Sequence, residues 1–149
     1  NWAKRDAIRI TWGRLLAQKG LRVLFFLGSR GGSSGGDAGE SAKADARVDR
    51  ESLLFGDIVR LPTTEGYSYN ARKGVAFLRY MASHYSHVKF CIKVDDDVYW
   101  RPEGLLQMLR HRTAFRYVWG FLDLNSPVPR EEDSAFFHSA AAWPDDIFP

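Results

Sequence analysis

The run Val23-Leu24-Phe25-Phe26-Leu27, closed by Gly28, is the feature that most narrows what this chain can fold into. Side chains alternate between faces along a strand, so five consecutive apolar residues put bulk on both faces. A strand of that kind suits a parallel sheet with helices on either side. A second apolar run, Phe90-Cys91-Ile92-Lys93-Val94, leads directly into Asp95-Asp96-Asp97. Three adjacent carboxylates repel one another, and none is cheap to bury alone. A cation is the simplest device that lets them converge at the end of a buried strand. On an extended backbone Asp95 and Asp97 point to the same side, the geometry for one divalent ion and the anion it carries. An acidic turn capping the next helix is the plainer alternative for such a triplet; the strand in front favours the metal.

The segments around these strands alternate in period. From Trp2 to Leu16, the residues Ile8, Trp12, Leu15 and Leu16 recur at helical spacing, and Gly20 is a stop. Ala42 to Leu54 is charged and helical in character, and Phe55-Gly56-Asp57 turns into a short strand, Ile58–Leu61, closed by Pro62. A helix is expected from after Gly66 to about Tyr85, with Phe77, Leu78, Met81, Ala82 and Tyr85 on one face. Val88–Val94 is the strand that delivers the aspartates. Pro102 at a first helical position opens a helix over Glu103–Leu109, and Tyr117–Phe121 is a further strand. Leu124 to Pro149 has no clear period. This order predicts an α/β fold with a mainly parallel sheet flanked by helices, in which ligands sit outside the carboxyl ends of the strands. Asp95–Asp97 falls at such an end.

Gly28 to Gly39 is rich in glycine and serine. It lacks the Lys-Ser/Thr ending of a phosphate loop and the glycine spacing of a dinucleotide fold. Residues 28–47 are therefore expected to be a flexible insertion. With 149 residues, 45% of them apolar, the chain is long enough for one core and reads as part of a single domain. A net charge of +3 is spread among 18 acidic residues, without a basic run, zinc-knuckle spacing or RNP-type aromatics, which argues against nucleic acid. One cysteine, Cys91, allows no intrachain disulfide. No stretch of about 18 apolar residues is present. The start at Asn1 and the end inside Pro144-Asp145-Asp146-Ile147-Phe148-Pro149 suggest a piece of a longer protein.

Arg5, Arg9 and Lys73 are candidate partners for phosphate oxygens, since arginine matches phosphate geometry bidentately; a solvated surface charge is an equal alternative for each. Lys73 lies near a helix start, where the dipole disfavours a cation unless an anion is close by. Lys93 is a candidate neutraliser of the acidic site. Trp12 and Trp119 read as core aromatics, and Trp100 as a residue that could face a ligand.

Arg5-x-x-Ile8-Arg9-x-Thr11-Trp12, Phe26-Leu27-Gly28, Glu51 with Gly56-Asp57-Ile58, Glu65-x-Tyr67 with Lys73, Lys93-x-Asp95-Asp96-Asp97-Val98 and Trp119-Gly120 occur in that order. Together these blocks resemble the β1,3-glycosyltransferase family, which includes galactosyl- and N-acetylglucosaminyltransferases and is related to the Fringe enzymes. Tyr69 and Ala71 stand where that family has Asn and Thr. The resemblance implies a GT-A fold, and an inverting transfer of galactose or N-acetylglucosamine from a UDP-sugar to a glycan, glycoprotein or glycolipid acceptor in β1,3 linkage. It implies manganese, with magnesium as the substitute, held by Asp97 and Asp95. Arg5, Arg9, Lys73, Asp95 and Asp96 are then donor-binding residues, and the carboxylate base lies beyond Pro149. It also implies a Golgi enzyme whose lumenal domain is anchored by an N-terminal helix outside this chain. A non-catalytic chaperone or binding relative on the same fold is the competing reading. A metal-dependent phosphotransferase of another α/β fold ranks behind both.

Overall fold

The computed structural model describes residues 1–30, 38–115, 118–120, 124–134 and 136–148. Two compact units divide the chain, Asn1–Ala114 and Phe115–Pro149. The first opens with helix α1 (Trp2–Ile10), capped by the Asn1 side chain, which accepts the N–H of Ala3. The single helix expected over this stretch is instead two, because α1 ends at Thr11 and α2 (Trp12–Gln18) begins at once. The Thr11 hydroxyl donates back to the Ala7 carbonyl, which also accepts the Thr11 N–H, and Thr11 itself leaves helical angles at φ -110° and ψ -115°. Gly13 follows because a Cβ there would press on the Ile8 carbonyl. The apolar face survives the break: Ile8, Trp12 and Leu16 are buried together with Phe25.

Strand β1 (Phe25–Ser29) pairs in parallel with β2 (Ile58–Thr64), and helix α3 (Ala38–Phe55) forms the crossover. This is the α/β arrangement read from the alternating pattern. Phe25 opposes Ile58, Phe26 opposes Val59 and Leu27 opposes Arg60, but Ser29 then opposes Thr64. The slip has a covalent cause in Pro62, which has no N–H to donate to a ladder. The strand does not stop at Pro62, as the sequence suggested, but bulges around it. Residues 38–47, expected to be flexible, belong to α3; the glycine-rich residues 31–37 lie outside the described residues.

A 3-10 turn (Tyr67–Tyr69) leads into α4 (Asn70–His84). Phe77 and Tyr80 meet Phe26 of β1 edge-on, with ring centroids 4.9 and 5.5 Å away. Leu78 and Ala82, expected on the inner face, turn outward. The predicted strand Val88–Val94 is not formed: these residues join no strand, although Val94 packs against the core of Ile8, Trp12, Leu16 and Phe25. Asp96 and Asp97 lie in a turn. Helix α5 (Pro102–Arg110) starts at its proline as expected.

In the second unit, Tyr117 and Phe121 of the predicted strand lie outside the described residues, and Val118–Gly120 are not in a strand. An antiparallel bridge joins Pro127 to Ile147. Arg130 organises this unit by donating to the carbonyls of His138, Trp143 and Asp145, beside the buried Val128.

Candidate functional site

A cavity of about 690 Å³ opens in the first unit between β1, the first turns of α4 and the segment Ile92–Asp97. Its walls bring together Arg5, Lys73, Asp95, Asp96 and Asp97, five of the six candidate site residues. Arg9 lines a neighbouring pocket with Phe55 and Asp57. Distant parts of the chain thus converge beside the first half of β1 and the start of α4, whereas the carboxyl end of β1, where the topology expects a ligand, does not line the cavity.

The two arginines are engaged within the fold. Arg5 is 4% exposed and grips both carboxylate oxygens of Glu51, with its Nε 2.8 Å from Oε1. Arg9 reaches the same carboxylate through Nη1 at 2.8 Å, and forks onto Asp57 at 2.7 and 2.8 Å. Its guanidinium also lies over the rings of Phe25 and Phe55, 5.0 and 4.0 Å from their centroids. Two cations and two carboxylates make this cluster self-neutral, which is the condition for burying charge. The hydrogen bond from Arg5, reinforced by Arg9, outweighs burial and holds the Glu51 carboxyl below its ordinary pKa. Arg9 is held above its ordinary value, first by its bond to Asp57. Bidentate geometry, offered in the sequence as a match to phosphate, is here spent on carboxylates of α3 and the turn before β2.

Lys73 sits in the first turn of α4, where a cation needs an anion. Glu65 supplies it, with its two oxygens 2.9 and 3.1 Å from Nζ. The same carboxylate accepts the backbone N–H of Gly28 at 2.6 Å, so one side chain ties the end of β1 to the start of α4. Burial pushes the Glu65 pKa upward, but Lys73 and the Gly28 N–H outweigh it and the net shift is downward. Gly28 is required by close approach, since a Cβ would strike the Thr63 carbonyl of the bulged β2.

The aspartate turn has a different character. Asp95, Asp96 and Asp97 have side chains 76%, 43% and 69% exposed. Lys93 Nζ lies 3.2 Å from Asp95, the neutralising place expected of it. Lys4, which the sequence did not single out, reaches across from α1 to Asp96 at 2.9 Å and to Asp97 at 3.9 Å. The bond to Asp96 raises the Lys4 pKa. Because the aspartates occupy a turn, strict alternation does not decide their directions, and Asp96 lines the cavity together with its neighbours. Among the described residues no three His, Cys, Asp or Glu side chains are gathered into a metal cage. Trp12 is buried in the core and Trp100 packs against it, while Trp119 is exposed. His138 is on the surface, and no described helix is long and apolar enough to cross a membrane.

Residues 3–149 match the family model described as Galactosyltransferase. The chain is 31% identical to beta-1,3-galactosyltransferase 5 of Pan paniscus, an alignment covering 99% of this chain and 47% of that protein. It is 30% identical to the Homo sapiens protein of the same name, over 99% and 46% of the two chains. It is 27% identical to beta-1,3-galactosyltransferase 1 of Mus musculus, over 97% and 43%. The chain therefore spans about half the length of the curated relatives it matches. No solved structure matches it.

Proposed function

Because the chain belongs to the galactosyltransferase family, we propose that it is the donor-binding part of an enzyme that moves galactose from a UDP-sugar to a glycan acceptor in β1,3 linkage, with inversion. The observation that carries this reading is the cavity where Lys73 and Asp95–Asp97 meet. The donor set fits a hard divalent ion, manganese or magnesium, since exposed carboxylate oxygens without nitrogen or sulfur do not suit zinc. An open turn rather than a closed cage also fits, because such ions are bound by one or two carboxylates, with substrate phosphates and water completing the shell. Asp97 and Asp95 would hold the ion, which supplies Lewis-acid neutralisation of the charge that develops on the departing diphosphate.

The chain's own residues do the rest of the binding. Lys73 lines the cavity from the first turn of α4, its ammonium paired with Glu65, at a helix end whose dipole favours an anion. Glu65 keeps that ammonium in place and ties it to β1. Phe77 and the edge of β1 wall the apolar side. The family resemblance supports a lumenal Golgi domain carried by a single-pass protein, with the acceptor a glycoprotein or glycolipid glycan.

Calorimetry with manganese and UDP tests the reading. Binding is expected for the wild-type chain and loss of at least about tenfold in affinity for Asp97→Ala, in line with removing a charged ligand contact. Unchanged binding by Asp97→Ala would sink the proposal. Folded protein that binds no UDP-sugar with any metal would favour a non-catalytic relative.

A further inference from the structure

We propose that Lys4 is the tethered counter-ion of the aspartate turn, and that it makes divalent-cation binding there depend on the nucleotide diphosphate. The inference rests on the reading above and extends it by giving a role to a residue outside the family's motif blocks. Lys4 projects from the first turn of α1, 92 residues before Asp96. Its Nζ lies 2.9 Å from Asp96 Oδ1 and 3.9 Å from Asp97 Oδ2. Lys93 Nζ lies 3.2 Å from Asp95 Oδ1. Each aspartate therefore faces an ammonium, and the five groups together keep a single negative charge.

The sign of the Lys4 effect depends on what arrives. A bare divalent cation beside Asp97 meets the Lys4 ammonium within a few ångströms and is repelled, with incomplete screening at that separation. A cation already complexed to a nucleoside diphosphate is part of an anion at neutral pH, so the same ammonium attracts it. Lys4 therefore shifts the preference of the turn away from the free ion and toward the complex, while the turn as a whole stays negative. Lys4 is carried in the first turn of α1, where the next residue, Arg5, is paired with Glu51.

The test is a manganese titration of the whole chain, followed by the electron paramagnetic resonance signal of the free ion, with and without UDP. Lys4→Met keeps the stem and removes the charge; Lys4→Arg keeps the charge. In Lys4→Met, manganese alone is expected to bind about tenfold more tightly, and the tightening produced by UDP to shrink by a similar factor. Lys4→Arg should behave as wild type. An unchanged free-ion affinity in Lys4→Met overturns the inference, and so does Lys4→Arg behaving like Lys4→Met. Asp97→Asn separates the two levels of argument. If it abolishes manganese binding while Lys4→Met has no effect, only the role of Lys4 falls. If it leaves manganese binding intact, the metal reading fails and this inference with it.

Discussion

Lys4 and Arg5 are adjacent in α1, yet they serve charge clusters of opposite kind. Arg5 enters a dry, self-neutral group of two arginines and two carboxylates, shared among α1, α3 and the turn before β2. Lys4 reaches a wet turn where carboxylates outnumber ammoniums. In the first cluster the charges are paired with one another, so they can hold the fold but have little left for a ligand. In the second, high exposure makes each ion pair weak, and weak pairs are easily exchanged for a ligand. Burial, rather than residue type, separates the two roles.

The sharpest way to break this contrast is Glu51→Ala, which strands two arginines without their shared partner. It should cost about 3–5 kcal/mol of stability, the range for removing one member of a buried pair, read from denaturant unfolding. A loss near zero would mean the cluster is not dry. Arg9→Lys removes the fork onto Asp57 and the stacking on Phe25 and Phe55; about 1–3 kcal/mol is expected in the same assay. Acid should erode what the cluster contributes. The Glu51 pKa is lowered on folding, so its contribution is complete above the unfolded carboxylate value of about 4.3 and is lost as pH falls from there through the folded value. Glu51→Gln should flatten that part of the stability–pH curve. The smallest effect belongs to the exposed turn: Asp97→Asn should change stability by no more than about 0.5 kcal/mol while removing metal binding. If it destabilises as Glu51→Ala does, the two regions are not different in kind.

Much of this arrangement was legible in the sequence, and the rest failed for local reasons. Ile8, Trp12 and Leu16 announced a helical face, but nothing in their spacing reveals that the backbone leaves helical angles at Thr11 and splits the helix. The apolar run ending at Leu27 marked β1. The run ending at Val94 looked the same and forms no strand, because a strand exists only where a neighbour supplies a ladder. Here the space between Phe25–Leu27 and Ile92–Asp97 is occupied by the cavity. Arg5 and Arg9 were conspicuous as charges, whereas their partners Glu51 and Asp57 were visible only as fragments of motifs. Lys4 carried no signal at all, since its importance comes from a contact 92 residues away.

The break at Thr11 also bears on the order in which the protein can acquire structure. Helices of nine and seven residues are too short to persist in water by themselves. Segments such as α1 and α2, although synthesised before β1, must wait unstructured while translation continues. Their apolar face needs Phe25, and their arginines need Glu51 and Asp57. Roughly the first sixty residues therefore condense together, at a rate of synthesis of about 5–20 residues per second, and a ribosome that pauses before Asp57 would hold a nascent chain with nothing yet to dock on.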